Sequence, residues 1–270
     1  MPTIADNLSW GTYNWEQRGD EWSTDWGDPT TQWNATLFPR IYRFLPASRI
    51  LEIAPGYGRW TQFLIGQSKS YIGVDLNPEC IDACRKRFGE YPSTTFVAND
   101  GKSLDAAEDN SIDFAFSFDS LVHVEADVLA AYFKELTKKL TVDGVAFLHH
   151  SNLAEYDGVA LKISKALWTK PKPWPVGVIL KKLQISDWDG WRAPSVSANI
   201  VSHLATEAGL SCIRQEVINW GQNKKRLIDC LSTLTRKGSR WDQPQIQIRN
   251  PHFMSEAASA RAISSLYQSL

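Results

Sequence analysis

Apolar and polar positions change rhythm at about residue 46. From Arg49 onward, short apolar runs alternate with segments whose apolar residues recur every three or four positions. RILEIA (Arg49–Ala54) reads as a buried strand, PGYGR as a glycine turn, and residues 60–65 as a helix. SYIGVD (Ser70–Asp75) is a second strand. Pro78 stands at the first position of a helix that runs to Phe88, where its missing N–H costs nothing. TTFVAN (Thr94–Asn99) and IDFAFSFD (Ile112–Asp119) are the third and fourth strands, and Asp127–Leu140 is a helix that ends before Asp143-Gly144. GVAFLHHS (Gly144–Ser151) is the fifth strand. Strands alternating with helices at this spacing predict βαβ units, hence an α/β, Rossmann-like sheet with helices on both faces. Residues 153–192 break the rhythm with four Trp, three Pro and several Lys, and read as an insertion. A helix at Ser195–Ala208, strands at Cys212–Asn219 and Leu227–Thr235, and a final helix at Ser255–Leu270 follow.

The expected organisation is therefore three-part. A Trp-rich arm, 1–45, caps the substrate; 46–236 form the main domain, with 153–192 as a lid; 237–270 are a tail with a helix. Inserted loops at strand C-termini are where such folds place substrate contacts.

Composition narrows the function. Lys plus Arg number 29 against 30 Asp plus Glu, a net charge of -1, so no global positive field is present to hold a nucleic-acid backbone. No apolar run approaches the length of a membrane span. The start, MPTIADNLSW, is neither basic nor apolar, so no secretory signal is expected. Cys80, Cys84, Cys212 and Cys230 make no CxxC or zinc pattern and read as reduced thiols of a cytoplasmic protein. Twelve tryptophans, more than the eleven Phe or eight Tyr, are the compositional oddity.

The first chemical signal is LEIAPGYGRW. Gly56 and Gly58 allow backbone to approach a ligand, and seventeen residues after Gly58 the second strand ends in Asp75, placed to accept from ribose hydroxyls. A dinucleotide fingerprint needs a third glycine where Thr61 stands, and no P-loop GK[ST] follows. E-x-A-x-G-x-G on the first strand, Asp75 on the second, Asn99-Asp100 after the third and FDSLVHV after the fourth resemble class I S-adenosylmethionine-dependent methyltransferases. That resemblance implies a seven-stranded sheet with its last strand antiparallel. It implies that Glu52, Gly56 and Gly58 shape the pocket for the cofactor's amino acid part, that Asp75 takes the ribose, that Asn99 and Asp100 flank the adenine, and that Phe118 lies beside the methionine portion. Ala54 stands where the family usually has its first glycine, which implies a slightly tighter pocket with binding retained.

The acceptor side is expected on the loops after strands four and five, which hold three of the five histidines. Alternation along a strand keeps His149 and His150 from both facing the pocket. His150 is favoured as base or metal neighbour, His123 is its rival, and His149 is read as a core residue. Metal-dependent O-methyltransferases resemble this chain at Asp119 and, less well, at His150 and Asn152, which makes Mg²⁺ assistance an alternative; the second acid such a site needs is missing. The tryptophans of the arm (Trp22, Trp26, Trp33) and of the insertion (Trp174, Trp188, Trp191), with Asp25, Asp28, Asp187, Asp189 and Arg192, suit the C–H face and hydroxyls of a sugar. W-x-x-x-W-G, HHSN, WRAPSVSA and INWG also resemble methyltransferases of bacterial polysaccharide and glycolipid synthesis. The expectation is O-methylation of a sugar or glycan. A phenol or amine methyltransferase and a non-catalytic cofactor-binding subunit stand as alternatives, and a homo-oligomer is left open.

Overall fold

The computed structural model describes residues 7–156, 192–221 and 224–266. Its sheet has eight strands: β1 (Ala47–Ile53), β2 (Ser68–Asp75), β3 (Thr94–Ala98), β4 (Ile112–Ser117), β5 (Leu140–Ser151), β6 (Leu210–Ile218), β7 (Asp229–Arg236) and β8 (Ile246–Asn250). They lie in the order β3-β2-β1-β4-β5-β7-β6-β8. β1 to β5 are parallel to one another, while β7 is antiparallel to both neighbours, β5 and β6. The expected reversed strand is present.

The expected total of seven is corrected to eight. β8 pairs parallel to β6 inside what reads as a polar tail. Ile246 and Ile248 are half exposed, so no buried apolar face announces the strand. Polar side chains hold it: Gln245 and Gln247 both donate to Gln215 Oε1, and Asn250 donates to Glu216.

β1 is buried on both faces, as a central parallel strand must be. Leu51 and Ile53 enter one core with Ile72 and Val74 of β2; helix α2 (Ala126–Lys139) supplies Leu129, Phe133 and Leu136 to it, and α3 (Ala198–Ala208) supplies Val201 and Ala205. Ile50 enters the other core, with Ile81, Cys84 and Phe88 of α1 (Pro78–Phe88) and Ala257 of α4 (Glu256–Ser265). Trp26, Trp33, Leu37 and Ile41 belong to this second core, each at most 6% exposed. The spacing of Trp33, Leu37 and Ile41 is that of one helical face, realised as short consecutive helical segments. This stretch is therefore part of the wall of the domain rather than an excursion from it. Arg40 bolts it down, donating to Glu216 of β6 at 2.6 Å and to Glu256 of α4 at 2.8 Å. Among the described residues no helix is long and apolar enough to cross a membrane.

Candidate active site

Strand order reverses between β1 and β4, the place where ligands bind in open α/β sheets. A cavity of about 520 Å³ lies there. Its walls come from the segments after β1 (Ala54, Gly56), β2 (Asp75, Leu76, Asn77), β3 (Gly101) and β4 (Asp119, Ser120, Leu121, His123).

The glycine turn is built by backbone constraint. Gly56 has φ +57°, and a Cβ there would stand 3.3 Å from the Trp15 indole. Gly58 has φ +85°, and its Cβ would meet Phe88 of α1 at 2.3 Å. Gly58 thus seats the turn on α1 and is not in the cavity wall, a correction to its expected contact with the cofactor. Ala54, which is in the wall, has φ +58°. The cost of alanine at this position is backbone strain rather than a tighter pocket. Ala54→Gly should raise stability by about 1 kcal/mol, since the left-handed conformation costs a side-chain-bearing residue that much. A urea midpoint at or below that of the parent chain would contradict this.

Asp75 is where the sequence places it, on the cavity wall and 5% exposed. Its Oδ2 accepts from Gly56 N at 3.0 Å and its Oδ1 from Asn77 N at 2.9 Å. Burial pushes its carboxyl up, and these backbone donors oppose the shift. The Asn77 side chain and the Leu76 backbone also bear on this carboxylate, which faces the cavity as an acceptor. The loop after β3 is a self-bonded turn: Asn99 donates to Ser103 O at 2.8 Å and accepts from Gly101 N, while Asp100 accepts from Lys102 N and Ser103 N. Gly101, not Asn99 or Asp100, reaches the cavity wall, so these two bear on the cavity only through the turn they brace.

Glu52 is displaced from its expected role. It is 1% exposed, lies outside the cavity wall, and accepts from Thr61 Oγ1 at 2.7 Å and from Tyr71 OH. On β1 it shares a side with Ile50, the face away from Leu51 and Ile53. Burial pushes its carboxyl up to about 7, against the hydrogen bonds from Tyr71 and Thr61. Between the ordinary glutamate range and that value the folded chain keeps a proton that the unfolded chain has lost. This group's contribution to stability therefore falls as pH rises through the window and levels off above it. The stability of Glu52→Gln relative to the parent should accordingly increase from about pH 5 to pH 8, read from denaturant midpoints. A constant difference would contradict it.

Beyond β4 the chain turns sharply at Asp119, φ +63°. Asp119 reaches the cavity, but its carboxylate is held by Arg59 at 2.6 Å, with side chains 9% and 6% exposed. The Arg59 guanidinium lies over Trp60 at 4.7 Å and over Trp22 at 5.3 Å. Phe118 is buried against His149, ring centroids 4.5 Å apart, and edge-on to Trp60; it does not touch the cavity, contrary to expectation.

The β5 end is also corrected. Alternation does separate the two histidines, but neither lines the cavity. His150 is 1% exposed, with Nε2 at 2.7 Å from Ser232 Oγ of β7 and Nδ1 at 2.8 Å from Ser151 O. Burial pulls its pKa down to about 4, so it stands neutral and walled in, unable to meet an acceptor. His149 Nδ1 accepts from Asp119 N at 3.1 Å, which puts the ring proton on Nε2, 3.1 Å from Asp229 Oδ2. Asp229 in turn takes a two-point clamp from Arg192, at 2.9 and 2.7 Å. Asn152 donates to Leu227 O and Glu155 and accepts from Ala198 N. The metal set Asp119, His150, Asn152 is therefore not assembled: each member is committed to a different partner. Among the described residues no group of three or more His, Cys, Asp or Glu is arranged to hold a metal ion.

His123 does line the cavity, on the short turn Leu121–His123, with its carbonyl accepting from Asn7 of the arm. Trp22 and Trp26 line it as expected, joined by Trp15 and Trp220. Trp174, Trp188 and Trp191, with Asp187 and Asp189, lie outside the described residues. Arg192 is at the wall, 6% exposed, over the Trp220 ring at 5.0 Å. Sequence reading missed Arg59, Glu21, Trp15, Trp220 and Asp229. Asp229 alone left a mark, as a single acid inside the apolar run LIDCLSTLT, the pattern of a buried, paired charge.

Comparison with known proteins agrees with this geometry. Residues 50–144 match the family model of a methyltransferase domain. The matched segment holds the glycine turn, Asp75 and the Asp119–His123 loop. Among individual proteins, the chain is 37% identical over 84 residues to the phthiotriol/phenolphthiotriol dimycocerosates methyltransferase of Mycobacterium leprae (strain TN), a match spanning 30% of this chain and 28% of that protein. It is 26% identical over 138 residues to the phosphoethanolamine N-methyltransferase of Triticum aestivum, 50% of this chain and 27% of that one. The chain thus spans little more than a quarter of each relative's length. An S-adenosylmethionine dependent methyltransferase structure from Mesorhizobium loti superposes with a TM-score of 0.52 at 17% identity, covering 74% of this chain and 97% of that chain, which shows the shared fold.

Proposed function

We propose that the chain transfers a methyl group from S-adenosylmethionine to a hydroxyl of a sugar or glycan, with both reactants in the one cavity. The observation that carries this reading is that one cavity wall joins Asp75 and the Ala54–Gly56 turn to His123 and the indoles of Trp22, Trp26 and Trp220. When bound, S-adenosylmethionine supplies a methyl already activated on a sulfonium. Asp75 fits the ribose as a carboxylate acceptor on the cavity wall, and the glycine turn fits backbone contact with the amino acid end.

The protein's own work is alignment, exclusion of water and removal of one proton. The Trp22 and Trp220 indoles offer flat apolar faces to ring C–H groups, and the buried Trp26 backs Trp220 at 5.5 Å. His123 receives the hydroxyl proton as the methyl–sulfur bond breaks and the methyl–oxygen bond forms, leaving S-adenosylhomocysteine and a methyl ether. No step uses a metal. We place the reaction in the cytosol, supported by four cysteines that are all free and buried.

A second reading, an amine acceptor, is favoured by Asp25 among the same indoles, a surrounding that also suits a cation. Transfer of labelled methyl to a panel of sugars, nucleotide-sugars, phenols and amines separates the two. Label in the sugars alone supports the proposal. Label in the amines alone replaces it with the second reading.

A further inference from the structure

The amino acid end of S-adenosylmethionine carries an ammonium, and an ammonium withdrawn from water into an apolar cavity needs a carboxylate partner. The sequence motif offers Glu52, but that side chain is sealed behind the turn with Thr61 and Tyr71. Among the described residues four other carboxylates reach the cavity: Glu21, Asp25, Asp75 and Asp119. Asp119 is neutralised by Arg59, Asp75 stands at the ribose end with both oxygens bonded to backbone, and Asp25 is exposed to water.

Glu21 differs from all three. Its Oε1 accepts from Tyr13 OH at 2.9 Å, while its Oε2 is closed to solvent and has no hydrogen-bond partner among the described residues. A carboxylate oxygen in that state lacks both water and a donor, a condition that folded proteins rarely leave uncompensated. Its position is also right. Glu21 sits on the turn Asp20–Trp26, whose Trp22 packs edge-on to Trp15 at 5.1 Å. Trp15 stacks on Tyr57 at 4.6 Å and covers Gly56. The arm that covers the glycine turn thus also puts Glu21 in the same cavity wall as Gly56.

We propose that Glu21 Oε2 receives the ammonium of the cofactor, so that an acid from the N-terminal arm serves where the motif would place Glu52. This rests on the cavity being the S-adenosylmethionine site. The test is calorimetric titration of the wild-type chain, Glu21→Gln and Glu21→Asp with S-adenosylhomocysteine, which has the ammonium, and with 5′-methylthioadenosine, which lacks the whole amino acid end. Glu21→Gln should weaken S-adenosylhomocysteine about tenfold or more while leaving methylthioadenosine unchanged, and Glu21→Asp should fall between. Equal weakening of both ligands would mean that Glu21 only supports the arm, and no weakening of either would mean that the ammonium lies elsewhere; each overturns the proposal. A wild-type chain that binds neither compound overturns the cofactor reading itself, which is a separate outcome.

Discussion

Asp229→Ala lowers unfolding stability by about 3–5 kcal/mol, the cost of leaving one member of a buried ion pair without its partner. Asp229 is fully buried and joins β7 to two neighbours, Arg192 by a two-point clamp and His149 on β5. Burial by itself would push its carboxyl up; the charge of Arg192, with the His149 ring N–H beside it, overcomes that and holds it well below the usual carboxylate range. A carboxyl depressed in this way stabilises the fold above its unfolded value, at about pH 4 and higher, and the contribution is lost as pH falls toward the folded value. Asp229→Ala should therefore unfold at lower urea at neutral pH, with the gap to the parent narrowing in strong acid. The double variant Arg192→Met/Asp229→Leu removes both charges and should recover most of the loss. A single variant with the parent's midpoint, or a double variant as unstable as the sum of its parts, would contradict the account.

His123→Ala lowers kcat for methyl transfer by about 10²–10⁴, the range for loss of a positioned base. Affinity for S-adenosylhomocysteine should stay unchanged if His123 serves the acceptor, as proposed, and not the cofactor. The acidic limb of the pH–rate profile, set by protonation of that imidazole, should disappear. His150→Gln is the control: its ring is neutral at neutral pH and faces Ser232, so the limb should survive the change. Persistence of the limb in His123→Ala, or its loss in His150→Gln, would return the base to β5.

The parts legible in the sequence are those set by local backbone. The glycine turn needs left-handed conformations within four residues, and Asp75 follows at the end of the next strand; both stand where the sequence puts them. The same holds for α1, which starts at Pro78 and ends near Phe88 as expected, and for the reversed β7. What escaped depends on which face of a strand meets which layer. Alternation separates His149 from His150, yet β5 is buried on both sides, so no polar face marks the direction of the cavity. Glu52 shows the same limit: the motif names the residue, and only the packing of Tyr71 and Thr61 reveals where its carboxyl goes. Arg59 joins Asp119 across 60 positions and β8 is held by side chains from β6, relations that no window of sequence contains.

The central claim, that the cavity beside Asp75 holds S-adenosylmethionine, is tested most directly by titrating the chain and its Asp75→Ala variant with S-adenosylhomocysteine, with NAD as control. The account predicts one site per chain in the parent, no heat with NAD, and affinity weakened about a hundredfold or more in Asp75→Ala, which loses two hydrogen bonds to a charged group. Silence in the parent, or equal binding by a folded Asp75→Ala chain, would contradict it.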